Sequence, residues 1–508
     1  MKRFHSAAAL LLAAALVLTG CSQQVSLKEK YLEMFQPENS APAEEQTPSG
    51  LTQFKLPYNI NDSLNPYEAA TQMNRTILPL LYDPLVKLDE HWNPTPCLAS
   101  GVEMNGQTCT VTLRSGVLFS DGSALTLQDV LYSLEQARQD LVRYPQLADL
   151  VESASGTGNT LTIQLYKADQ HFPNLLTFPI IKDGSRGQPL PPGTGRFRLA
   201  SLEERTLTRN TAHFAGSGSV EQVELVVLPD DETLPYSLKM GVVDCVFSDQ
   251  SSPEVYSMSS VSQSVEMTNL IYLGINQTHE LLAQPAFRTL LGQAVNRGNL
   301  ARKVYSNRAV EAVTPFHPSF WALPEREEGA KLSTAELEVA MNDLGLGEQD
   351  ADGYRLYNGS RLTLRLVVHQ ENSYRLKLAQ ELVQNLSAIG IALEVVPLEN
   401  DAYFSAVSTG GYDLFVAELK LGDNMDLTPV LSGASVGVAD SVFDLALLES
   451  YRSYQAGSTT IEAFLEDFEA SWPFLPLLYR RGTVSYSSTL SPQIIPTSQD
   501  IFYNMAGW

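Results

Sequence analysis

Cysteine is scarce in this chain. Of four cysteines, Cys97, Cys109 and Cys245 lie beyond the N-terminal segment. An odd set of three gives no disulfide framework, so all three read as buried free thiols. If Asn105-Gly106 is the turn of the hairpin there, Cys109 faces Val102 and Cys97 is out of reach. Histidine is scarce too. The seven are scattered, with no H-E-x-x-H and no i, i+4 pair, which removes the usual signature of a preformed zinc site. No G-x-x-x-x-G-K-[ST] is present to cradle a phosphate. Basic charge is short: 34 Lys and Arg stand against 58 Asp and Glu, a formal net charge of -24. That excludes nucleic acid, whose phosphates need basic surface, and disfavours docking on anionic lipid through a basic face. Beyond the first residues, no apolar run approaches the roughly 20 residues that span a bilayer.

The N-terminus is informative. Lys2 and Arg3 precede the short apolar run Ala7 to Leu18, which ends in Leu18-Thr19-Gly20-Cys21. This order reads as a secretory signal, residues 1–21, closing in a lipobox whose Cys21 thiol receives a diacylglyceryl group. Two acyl chains anchor stably, so an extracytoplasmic lipoprotein held at the cell membrane is expected. Residues 22–50 are rich in Pro, Glu and Ser, with too little apolar surface to offset the entropy of ordering them. They read as a flexible tether. The residues from Leu51 onward suffice for about three ordinary domains.

Along the rest, "CTVTLR" at 109–114 alternates as a strand. Asp121-Gly122 marks a turn, and Thr126 with Asp129 predicts a capping box ahead of the helical spacing Val130, Leu131, Leu134, Ala137. Residues 362–417 alternate strand and helix with short joins: "LTLRLVVH", a helix from Tyr374 to Ile389 closed by Gly390, "IALEVV", a short helix, and a strand Tyr412 to Ala417. Such alternation implies an α/β fold with parallel strands. Open parallel sheets bind ligands beyond their strands' carboxyl ends. Glu418, Asp423, His369 and Gln370 are therefore expected at one crevice edge.

The loop "GDNMD" at 422–426 carries two carboxylates, Asp423 and Asp426. They suit a catalytic acid pair, an anchor for an ammonium group by a charge-assisted hydrogen bond, or a turn cap. Gly433-Ala434-Ser435-Val436-Gly437 matches the G-x-S-x-G nucleophile pattern. That motif needs a strand leading in, whereas a polar break with Pro429 precedes Ser435 here. No catalytic residue, metal site or cofactor is assigned.

Several segments in order resemble the bacterial extracellular solute-binding proteins of family 5, the peptide- and nickel-binding group serving ABC importers. They are "SLNPYEAATQMNRTILPLLYDPLVKLDEHWNPTPCLA", "VTLRSGVLFSDGSALTLQDVLYSL", "GTGRFRL", "KMGVVDCVF", "YLGINQT" and "AFRTLLGQAVNRGNLARKVY". The resemblance implies a two-lobed, Venus-flytrap periplasmic-binding-protein fold with an extra small subdomain. Lobe I would combine residues 51–65, 190–268 and 480–508, the small subdomain 66–189, and lobe II 269–479. It further implies a non-enzymatic monomer that captures a peptide or similar cationic solute by lobe closure and delivers it to an ABC permease. A sensor lipoprotein of the same fold, or a secreted hydrolase using Asp423 and Asp426, are the alternatives. Asp423 falls where relatives hold a peptide's amino group. Glu418 stands near a position where the family usually has Trp, and no Arg stands near His369. Both departures imply an acidic pocket. Tyr272, Asn276 and Trp321 are pocket-wall residues by resemblance.

Overall fold

The computed structural model describes residues 51–507 except 217, 252–260, 326–331, 434–443, 489 and 491–493. The signal, Cys21, the tether and Ser435 lie outside the described residues.

Three larger sheets organise the described residues. The first has four strands in the order Gln53–Tyr58, Gln222–Val227, Thr206–Arg209, Phe197–Arg198, with the first pair parallel. The second is an antiparallel four-stranded sheet, Ala99–Asn105, Thr108–Leu113, Thr160–Leu165, Val151–Thr157. In it Cys109 faces Met104 rather than Val102, because the loop is Gly106-Gln107, with Gly106 at φ +57°, one residue later than expected. All three thiols are free and buried; burial pushes Cys109 and Cys245 up to about 12. The capping box forms, with Thr126 accepting from the Asp129 amide and Asp129 accepting in return.

The third sheet has seven strands. Its main path runs Cys245–Ser248, Phe474–Tyr486, Val261–Ile275, Leu414–Lys420, Thr363–His369, Ala392–Leu398. The last three strands are mutually parallel, joined by the helices Ser373–Ser387 and Asn400–Ser408, and Gly390 adopts φ +79° beyond the first helix, as that segment's pattern predicts. Leu414–Lys420 then pairs antiparallel with Val261–Ile275, so the sheet is mixed. Side-chain alternation along a strand divides its two faces between separate cores. Ile271, Leu273 and Ile275 pack with Phe287, Leu364 and Leu378. Leu270 and Tyr272 join a cluster extending to Phe54, Leu80 and Val111.

The segment "GTGRFRL" acquires a physical reason here. A Cβ on Gly193 would sit 2.2 Å from the Leu81 carbonyl oxygen, and one on Gly195 2.4 Å from Leu80 O. The two glycines let this turn press against the end of the Gln72–Leu81 helix, where the Gly195 amide donates to Leu81 O at 3.0 Å. Between them Thr194 Oγ1 donates to buried Asp83 at 3.2 Å. Gly195→Ala forces the Leu80–Leu81 backbone away and should cost about 1–3 kcal/mol, read as a lowered urea midpoint.

Candidate functional site

A cavity of about 660 Å³ gathers segments far apart in sequence. Its wall is built by the Gln72–Leu81 helix and the strand after it, by Asp140 to Tyr144, by Lys420 and Asp423, and by the C-terminal stretch Thr497 to Tyr503. The volume lies within the roughly 300–1,000 Å³ typical of sites that enclose small ligands.

Asp423 enters the wall through a tightly specified loop. The strand Leu414–Lys420 delivers the chain into Gly422, where a Cβ would meet Asn424 Oδ1 at 2.6 Å. The Met425 amide donates to Gly422 O at 2.9 Å, and buried Met425 takes φ +54°, a conformation uncommon for a non-glycine residue. Asn424 donates to buried Asp169 at 2.7 Å, while Asn174 Nδ2 donates to the Asp423 carbonyl at 3.1 Å. With its neighbours fastened on both sides, the Asp423 side chain is left on the cavity wall. Gln499 Nε2 donates to Oδ1 at 2.7 Å, and Thr177 Oγ1 lies 3.5 Å from Oδ2. Desolvation raises this carboxyl's pKa; nearby Lys420 and the two side-chain donors counter that in part. A carboxylate offers about four lone-pair sites, so Oδ2 retains capacity for a cationic donor.

The second carboxylate of the loop does different work. Asp426 Oδ1 accepts from the Thr428 amide at 2.9 Å, Thr428 Oγ1 at 2.6 Å and Gln455 Nε2 at 3.0 Å. It is a buried turn cap off the cavity wall, not half of an acid pair.

The other expected site residues are not brought to this cavity. Glu418 lies inside the strand, which runs to Lys420 rather than ending at Ala417. Its carboxylate pairs with Arg480 Nε at 2.8 Å and accepts from Asn269 at 2.9 Å. His369 ends its own strand and meets Asn400 at 3.0 Å. Asn276 donates to Tyr412 O at 2.8 Å and its oxygen accepts from Thr278, locking a strand end. Tyr272 packs edge-on to Phe415 and Phe474 in the core. Trp321 is 47% exposed and packs against the buried ring of His171. Gln370 does not reach the cavity either, and of the eight expected residues Asp423 alone lines it.

The wall is also not acidic. Arg75, Lys87, Arg143 and Lys420 line it alongside Asp140, Asp249, Asp423 and Asp500. Arg143 pairs with Asp140 at 2.7 Å, and Lys87 with Asp500 at 3.0 Å. Lys87 is further tied to a buried cluster: its Nζ lies 3.9 Å from Asp83, which takes the His213 ring nitrogen at 3.0 Å. Burial would push the Asp83 carboxyl up, but the bond to His213 and the charge of Lys87 hold it below its ordinary value. None of these cations carries a local sequence signal; each is an ordinary Arg or Lys until the fold converges.

The Asp169 that supports Asn424 brings a pH dependence. Burial raises its pKa to about 6, and burial lowers that of neighbouring His171 to about 4. A raised acid carries a cost when ionised that is relieved as pH falls through about 6. A depressed histidine carries none above its ordinary value and a growing one as pH falls toward about 4. The two opposite slopes offset each other between those values. Asp169→Asn removes one of them, so urea unfolding of that variant should show stability falling from pH 6.5 to 4 more steeply than in the parent.

The family model described as bacterial extracellular solute-binding proteins, family 5 Middle, matches residues 93–434. The chain belongs to this family. Among curated relatives of this family 5 protein, the oligopeptide-binding protein AppA of Bacillus subtilis is 22% identical over 66% of the chain. The glutathione-binding protein GsiB of Escherichia coli is 23% identical over 51% of it. The chain spans 66% and 54% of the length of those two relatives. Similar solved structures include the periplasmic murein tripeptide binding protein MppA, with TM-score 0.72 at 16% identity. That match covers 89% of this chain and 98% of the other. Another is NikA from Brucella suis in complex with Fe(III)-EDTA, with TM-score 0.65 at 20% identity over 88% and 98%. The likeness in structure establishes the mixed α/β, two-lobed periplasmic-binding-protein-like fold.

Proposed function

We propose that this family 5 protein is the lipid-anchored substrate-binding component of an ABC importer. It captures peptides or similar amine-bearing small solutes and releases them unchanged. Lobe I (51–65, 190–268, 480–508), the small subdomain (66–189) and lobe II (269–479) close on the ligand, a known mode of switching. The observation carrying this reading is Asp423: a partly buried carboxylate on the cavity wall, with an acceptor site to spare. Its affinity for an ammonium group comes from a charge-assisted hydrogen bond. Relatives named for oligopeptide, glutathione and murein tripeptide support a peptide-like ligand. Asp426, spent on Thr428 and Gln455, weighs against the hydrolase alternative. Cys21 is the site of lipid attachment, which tethers a monomer outside the cytoplasm beside its permease.

The test is native mass spectrometry of protein lacking residues 1–21 after mixing with a peptide pool. Retained intact peptide masses, with the pool uncleaved, support the reading. A pool converted to fragments, or no retained mass, overturns it.

A further inference from the structure

The charges of the cavity wall divide into those already answered within the protein and those left over. Arg143 is answered by Asp140, and Lys87 by Asp500 and Asp83. Lys420 has Asp423 as an acidic neighbour without forming an ion pair among the described residues, and its ammonium is only a point charge. Arg75 differs. It projects from the Gln72–Leu81 helix as an exposed side chain on the cavity wall. Its Nε and one Nη donate to a single acceptor, the Ala70 carbonyl. No ion pair engages it among the described residues. A guanidinium has five N–H donors in a fixed fork, so Nη1 and one further N–H remain for another acceptor. A carboxylate fits such a fork in two-point geometry, where a lysine acts only as a point charge.

Resting on the peptide reading above, we infer that Arg75 receives a carboxylate of the ligand while Asp423 holds its amine. The preferred ligand is thus a short zwitterionic peptide, not a polycation. Two observations converge on this. Residues Arg75 and Asp423 face the same cavity from elements about 350 residues apart in sequence, and among the described residues neither is joined in an ion pair. The chain as a whole carries a net charge of -24, a field that draws polycations to the surface without selecting among them and repels polyanions. A ligand with no net charge is indifferent to that field and gains its affinity from the two fixed contacts. The carboxylate has two sources, the peptide's C-terminus or an acidic side chain.

The experiment is calorimetric titration of the wild-type protein and Arg75→Gln. The ligands are trialanine, its C-terminal amide, and an amidated tripeptide with glutamate at its third position. Wild type should lose at least about tenfold in affinity on amidation, the size of one good polar contact. Arg75→Gln should bind trialanine that much more weakly and no longer distinguish the amide. Recovery of wild-type affinity by the glutamate peptide assigns the contact to a side chain; failure to recover assigns it to the C-terminus. Equal wild-type affinities for acid and amide overturn the inference while leaving peptide capture intact. An amidation penalty of full size in Arg75→Gln overturns it as well. Absence of binding by all three peptides overturns the peptide reading and this inference with it. Arg75 is exposed, so an unchanged melting temperature in Arg75→Gln separates a lost contact from a lost fold.

Discussion

Asp423→Ala weakens binding of an amine-bearing peptide by about 1.5–3 kcal/mol, or roughly 10- to 150-fold. The loss combines the charge-assisted bond with the stranding of Gln499, whose amide donates to Oδ1 at 2.7 Å. Asp423→Asn keeps the shape and separates charge from packing, because it retains an oxygen for Gln499 but no negative charge. The pH profile carries the same signature. The amine contact needs the ionised carboxylate, and burial raises this carboxyl's pKa. Affinity therefore falls as pH drops through that raised value, setting in at higher pH than the roughly 3.9 of an ordinary aspartate. Titration calorimetry from pH 8 downward measures this. Wild-type affinity in Asp423→Ala removes the residue from the anchor role.

Asp83→Ala produces the largest loss of stability, about 3–5 kcal/mol, because it removes one partner from a buried charge cluster. Asp83 is fully buried and serves His213 at 3.0 Å, Thr194 at 3.2 Å and, more distantly, Lys87. Without it His213 and Thr194 lose an acceptor inside the protein, and Lys87 keeps Asp500 alone. The effect reaches the cavity, since Lys87 and Asp500 form part of its wall. Asp83→Asn preserves much of the hydrogen bonding and should cost less. Urea unfolding at pH 7 distinguishes the pair. The sign of the pH dependence comes from the depressed carboxyl: its contribution is complete above the ordinary aspartate range and is lost as pH falls through the folded value. Equal stabilities of wild type and Asp83→Ala contradict the cluster's structural role.

The legible and the hidden parts of this chain have a common physical origin. Segments whose signals are local form as expected. Thr126 caps with Asp129, Gly390 follows the Ser373–Ser387 helix in the left-handed region, and the strands at 363–369, 392–398 and 414–420 run parallel. Asp423 draws attention in the sequence because its polar loop stands between apolar segments and resembles a family motif. Glu418, Asn276 and Tyr272 fall elsewhere than expected because strand boundaries and partners are tertiary facts. Three more residues of strand put Glu418 beside Arg480, and no pattern announces a partner 62 positions away. Arg75, Lys87 and Gln499 are invisible for the same reason. An exposed arginine on a helix and a glutamine near the C-terminus become wall residues only once the Gln72–Leu81 helix, the GDNMD loop and the Thr497 to Tyr503 stretch surround one cavity.

The family motif "GTG" stands between these cases. Its likeness is recognisable in the sequence, yet its reason is not: two glycines admit the Leu80 and Leu81 carbonyls, and the threonine between them reaches Asp83.

A crystal structure of the protein with a bound tripeptide puts the Asp423 anchor to its sharpest test. The expected result is a peptide inside the cavity walled by Asp423, Arg75 and Gln499, its ammonium within hydrogen-bond distance of an Asp423 carboxylate oxygen. A peptide bound elsewhere, or one in the cavity with its amine turned away from Asp423, would contradict it.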